Sequence, residues 1–148
     1  MLPAPFLASA LLAVLCGAAA AGRDEAETCV REQVSNAYPE GWGVRTVHRV
    51  DLGEGEIRTW LLTLYAGVEY RVTGCGDPSV LDLDLFLYDA AGQPRAQDVT
   101  RGRSGELTFR PPTTDTYFLS VRVASRTPPP AGRPGAPPAS VATAVMYR

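Results

Sequence analysis

The sequence predicts an all-β protein, an antiparallel β-sandwich with one short helix at its N-terminal end. Three observations carry this expectation. From Val44 onward, apolar residues recur at every second position in seven or eight short segments. Turn residues separate one segment from the next, among them Gly53, Gly67, Gly76-Asp77-Pro78, Gly92 and Pro111-Pro112. No helix-length segment lies between these strands, whereas a parallel sheet needs such crossovers.

Residues 1–21 read as a signal peptide. Phe6 to Cys16 is a hydrophobic run, and Ala18-Ala19-Ala20-Ala21 supplies the small residues a signal peptidase requires. The mature protein is therefore expected to begin at residue 22 and to be secreted or periplasmic. A membrane anchor is the rival reading. It needs about 20 apolar residues with anchoring flanks, and here Gly22-Arg23-Asp24-Glu25 follows the alanines, so no stable span is expected after cleavage. Lipidation of Cys16 is a further alternative, although Leu15 stands where a small residue is wanted. Without Cys16, two cysteines remain. An even count in an exported chain predicts a Cys29–Cys75 disulfide. It closes a loop of about 46 residues and contributes on the order of 3–4 kcal/mol. A metal or redox pair would want clustered ligands that two distant cysteines do not provide.

The helix is expected over 24–37, within a helix-and-connector region of 22–43. Acidic residues crowd its first turn, where the helix dipole favours them. Ala26, Val30 and Val34 line one face with Cys29 beside them, and Pro39, Gly41 and Gly43 end it. Trp42, between the two glycines, is expected to cap the core. The sandwich then occupies 44–148. Strands are expected at 44–50, 57–65, 68–72, 81–88, 95–99, about 107–109, 117–123 and 141–147, with a loop at 74–78. The clearest is 81–88, in which Leu81, Leu83, Leu85 and Leu87 face opposite Asp82, Asp84, Phe86 and Tyr88. The proline-rich stretch 128–138 has no apolar period and cannot pair in a sheet. It reads as a solvated, partly polyproline spacer, with a motif for a proline-reading domain as the alternative.

A family resemblance emerges from the order of these pieces. Trp60 to Leu64, Ala66-Gly67, Tyr70-Arg71-Val72, the Leu81-to-Asp89 strand, Gly92, Asp98, Phe109-Arg110-Pro111 and Asp115-Thr116-Tyr117 resemble the bacterial pre-peptidase C-terminal domain. The likeness covers about residues 56–148. It implies a secreted β-sandwich of jelly-roll type, a binding accessory rather than a catalyst, with relatives that bind calcium, collagen or insoluble polysaccharide. Asp115 departs from the family's usual glycine, and no catalytic domain accompanies the motif.

Charge and composition narrow the function. The chain has 148 residues and a net charge of −2, from 14 basic residues, all arginine, against 16 acidic ones. A near-neutral balance with interspersed signs argues against a dedicated nucleic-acid binder. His48 is the only histidine and no G-x-S-x-G surrounds a serine, so nucleophilic catalysis lacks its parts. His48 alternates with Val44 and Val50 and reads as a structural edge residue. Two carboxylates on one strand do not straddle a cleft as glycoside hydrolysis requires. A small secreted hydrolase is thus the disfavoured alternative, and no enzyme is expected.

Two binding sites are candidates. Asp82 and Asp84 leave the same face of a strand and repel unless a cation, an arginine or water relieves them. Calcium takes several oxygen ligands, and Asp98, with Asp77 and Asp89, would add oxygens from neighbouring loops. Asp82, Asp84 and Asp98 are the candidate calcium ligands. The alternative is that these carboxylates accept bonds from loop amides or pair with arginine. Phe86 and Tyr88 share that face, and Phe118 joins them, a combination suited to a sugar or protein surface unless the helix or a loop covers the rings. The expected function is a secreted, non-catalytic binding module for an extracellular or envelope protein or polysaccharide. A calcium-dependent polysaccharide- or matrix-binding protein is the runner-up.

Overall fold

The computed structural model describes residues 17–132 and 135–148. Most of the expected signal peptide, including Cys16, and residues 133–134 of the proline-rich loop lie outside the described residues. The order is α1 (Gly17–Ala37), a 3-10 turn (Tyr38–Glu40), β1 (Gly43–Leu52), β2 (Ile57–Leu64), β3 (Tyr70–Gly76), β4 (Val80–Tyr88), β5 (Pro94–Asp98), β6 (Ser104–Phe109), β7 (Asp115–Arg126) and β8 (Ala139–Tyr147). The strands form two four-stranded sheets, ordered β1-β8-β3-β6 and β2-β7-β4-β5. All six pairings are antiparallel. Every connection except β4–β5 passes from one sheet to the other, which is the double Greek key of a jelly roll.

The inner faces meet in one core. Leu83, Leu85 and Leu87 of β4 and Leu119, Val121 and Val123 of β7 pack against Val72 of β3 and Val141 and Val145 of β8. On β8 every residue from Ala139 to Met146 is buried, because both faces of the strand are covered. Residues 139, 141 and 145 face the other sheet, while Ala142 and Ala144 lie under α1 against Ala26 and Val30. Small side chains on that outer face let the helix approach closely. Cys29 of α1 is bonded to Cys75 of β3, with Cα atoms 6.1 Å apart. Ion pairs Arg23–Asp51 at 2.9 Å and Arg49–Glu27 at 2.6 Å tie the same helix to β1. The helix passes at Ala37 into the 3-10 turn, which contains Pro39 and ends where Gly41 takes a left-handed conformation, φ 89°.

Three expectations are corrected. The helix extends upstream of residue 24 to Gly17, so Asp24, Glu25 and Glu27 lie in its interior in the full-length chain. The expected loop at 74–78 is strand as far as Gly76. Its glycines serve close approach rather than a turn: a Cβ on Gly74 would lie 3.0 Å from a Leu85 methyl, and one on Gly76 2.5 Å from a Val80 methyl. Leu81 does not share the inner face of Leu83. A register shift between Val80 and Asp82 buries Val80 and leaves Leu81 44% exposed.

Candidate functional site

The two sheets differ in what covers their outer faces. The helix lies on β8 and β3, where its apolar stripe and disulfide close off one sheet. No described element lies across the outer face of β2-β7-β4-β5. Pairing register lays that face out in rows. Leu61, Phe118 and Tyr88 form one row, Thr59, Ser120 and Phe86 the next, and Ile57, Arg122 and Asp84 the third. Leu61 is 68% exposed and Ile57 58%, while Phe86, Tyr88 and Phe118 are half-buried. The rings of Phe86 and Tyr88 stack with centroids 6.0 Å apart and an interplanar angle of 21°. The three aromatics named from sequence therefore do come together, and the helix that was the alternative cover for them lies on the opposite sheet. Leu61 and Ile57 were missed because the inward Trp60, Leu62 and Leu64 carry the alternation, and nothing local marks their outward neighbours as part of a patch.

The carboxylates named from sequence are engaged within the protein. Asp84 is 2% exposed and accepts two bonds from Arg122, through Nε at 3.0 Å and Nη2 at 2.5 Å. The Arg122 guanidinium also lies 5.7 Å from the Phe86 ring centroid, so one arginine neutralises the buried acid and borders the aromatic platform. Asp82 accepts from the Gly102 amide at 3.4 Å. Asp98 accepts from the amides of Thr100 at 2.9 Å and Glu106 at 2.7 Å. Partial burial pushes the Asp98 carboxyl up, but the amide bonds from Glu106 and Thr100 outweigh it and hold the group below its ordinary value. Asp89 accepts from the amides of Ala91 and Gln93 and closes the β4–β5 turn. Among the described residues, no group of three or more histidine, cysteine, aspartate or glutamate side chains is placed to hold a metal ion. Asp82, Asp84 and Asp98 are thus not brought together as one ligand set. Arginine and loop amides relieve the like-charge repulsion instead.

Three polar–aromatic groupings lie elsewhere on the molecule. His48 of β1 stacks on Trp60 of β2, with centroids 4.5 Å apart and planes at 17°, across the gap between two edge strands. Its Nε2 is buried without a partner, and burial lowers its pKa. Trp42 is buried at 3% exposure against Ala37 and Met146, between the guanidinium groups of Arg71 at 4.3 Å and Arg148 at 4.4 Å. At the same end of the sandwich, Arg45 stands in a bulge of β1 between Val44 and Thr46. It lies 5.6 Å from the ring of Tyr65 and 5.8 Å from that of Tyr70, in a cleft of about 530 Å³ that Tyr147 also lines. Sequence reading missed Arg45 because a bulge leaves no mark in the alternation.

No protein-family description matches this chain, and no curated protein matches it. Among solved structures the chain is similar to PliG of Aeromonas hydrophila, a periplasmic lysozyme inhibitor of g-type lysozyme. The identity is 14%, the TM-score is 0.45, and the match covers 70% of this chain and 88% of that one.

Proposed function

We propose that this protein is an exported, non-catalytic binding module that docks on an extracellular or envelope protein through the outer face of β2-β7-β4-β5. One observation carries the reading: α1 covers one sheet, while the other presents Leu61, Ile57, Phe86, Tyr88 and Phe118 side by side. Exposed apolar groups gathered in one patch and bordered by polar residues suit a partner surface. Aromatic anchors beside a partly exposed arginine are the residue types that dominate protein interfaces. The face is a sheet surface rather than a cleft, which suits a macromolecule better than a small ligand. The signal-peptide motif and the intramolecular disulfide support an oxidising compartment. The motif resemblance over about residues 56–148 supports kinship with pre-peptidase C-terminal domains.

The test is retention of envelope proteins on the immobilised mature protein, compared with its Leu61→Arg and Tyr88→Arg variants. A species retained by the parent and lost by both variants, but kept by a Glu32→Gln control on α1, supports the reading. Equal retention by all four forms sinks it. A second reading, a polysaccharide partner, is favoured by the stacked Phe86–Tyr88 pair, since sugar rings lie flat on such platforms. Calorimetry with soluble polysaccharides, with and without a calcium chelator, separates it from the first and tests the calcium-dependent form.

A further inference from the structure

We infer that the α-amino group released by cleavage between Ala21 and Gly22 pairs with the Asp77 carboxylate, so that the fold carries a receptor for its own processed end. The inference rests on the reading of residues 1–21 as a cleaved leader.

Asp77 is 8% exposed. Its Oδ1 accepts from the Ser79 amide at 2.8 Å and the Ser79 hydroxyl at 2.6 Å, and its Oδ2 from the Ser140 amide at 2.8 Å. None of the ion pairs among the described residues involves it. A buried carboxylate is stable when a cation accompanies its hydrogen bonds. On α1, Gly22 lies against this carboxylate: a Cβ there would stand 3.1 Å from Asp77 Oδ2. In the intact chain that position holds only a hydrogen.

Cutting the Ala21–Gly22 bond frees the nitrogen to rotate about the Gly22 Cα–C bond. A turn of about 120° carries it into the Cβ position, because the N–Cα bond, about 1.46 Å, is close to the Cα–Cβ length. The ammonium then lies near 3 Å from Oδ2, within hydrogen-bond range. Ala21, Gly22, Asp77, Ser79 and Arg126 line a recess of about 370 Å³ there, room for the displaced end.

The surrounding charges agree. Glu25 of α1 lines the same recess and adds a second negative charge. Arg126 of β7 lines the recess as well, but it donates to the Pro137 carbonyl and to the Ser79 hydroxyl rather than to Asp77, and Arg23 is held by Asp51 of β1. A helix beginning at Gly22 would have Asp24, Glu25 and Asp77 around its positive end, where the dipole favours acids. In the full-length helix Asp24 and Glu25 are interior, so their placement fits the processed chain.

The absence of lysine makes the test clean, since the α-amine is the only primary amine in the protein. Mass spectrometry of the exported protein should give a chain starting at Gly22. Reductive methylation with a carbon-13 label should then report one amine by NMR. Its pKa is expected about one unit above the ordinary α-amine range of about 7.7–8.0, and Asp77→Asn should return it to that range. A Ser-Gly insertion after Ala21 moves the amine away while keeping Asp77, and should do the same should the Asn variant fold poorly. A mature end elsewhere overturns the inference together with the cleavage site. A Gly22 amine titrating in the ordinary range overturns the pairing alone.

Discussion

His48 shows how one residue's chemistry is set by its neighbours. The imidazole lies flat on Trp60 between the two sheets, and burial disfavours its charged form, so its pKa falls below the ordinary 6.5. An unfolded chain therefore binds a proton more readily than the folded one. The stability that neutral His48 contributes is complete above about pH 6.5 and is lost as the pH falls through the lowered folded value. Melting temperature should decline on acidification from pH 7.5 to pH 5, and His48→Phe, which keeps a stacking ring, should flatten that part of the profile. Glu69 and Asp98 act at lower pH. The Arg148 hydrogen bond holds Glu69 below its ordinary value, and amide bonds do so for Asp98, so both contributions are lost only below the usual carboxylate range. The sequence placed His48 among alternating valines and thereby predicted a structural histidine. It held no sign of Trp60 as the partner, because the contact joins two strands in different sheets.

At the scale of elements, α1 and β8 depend on each other. The helix is short of apolar surface, with Ala26, Val30, Val34 and Ala37 as its stripe, and β8 offers it Ala142, Ala144 and Met146. The Cys29–Cys75 bond compensates for that thin contact. The Cys29→Ser, Cys75→Ser double variant should lose about 3–4 kcal/mol in urea denaturation, the chain-entropy value for a loop of this length. Hydrogen exchange should quicken first in α1, while β4 and β7 stay protected, since their packing lies between the sheets. The stripe and the cysteine pairing were both legible in sequence. The length of β3 was not, because Gly74 and Gly76 read as loop residues when their task is to admit Leu85 and Val80.

At the scale of the whole molecule, the uneven covering of the two sheets determines what the protein presents outward. Leu61 and Ile57 contribute exposure and little burial, so Leu61→Arg should change unfolding free energy by no more than about 0.5 kcal/mol, measured by chemical denaturation, while disrupting a partner contact. A large loss would mean that the face is part of the folded core. The sequence by itself determined the all-β class, most of the strand positions, the helix stripe and the cysteine pair, because each rests on local periodicity, turn chemistry or parity of cysteines. It also placed Phe86 and Tyr88 on one face, since strand parity is local. Only the tertiary structure decided the β1-β8-β3-β6 and β2-β7-β4-β5 orders, the sheet that α1 covers, and the pairing of Asp84 with Arg122 in place of a carboxylate cluster. Those outcomes depend on pairing between distant strands, and on bulges that shift a side chain by one position, neither of which is written in any short stretch of chain.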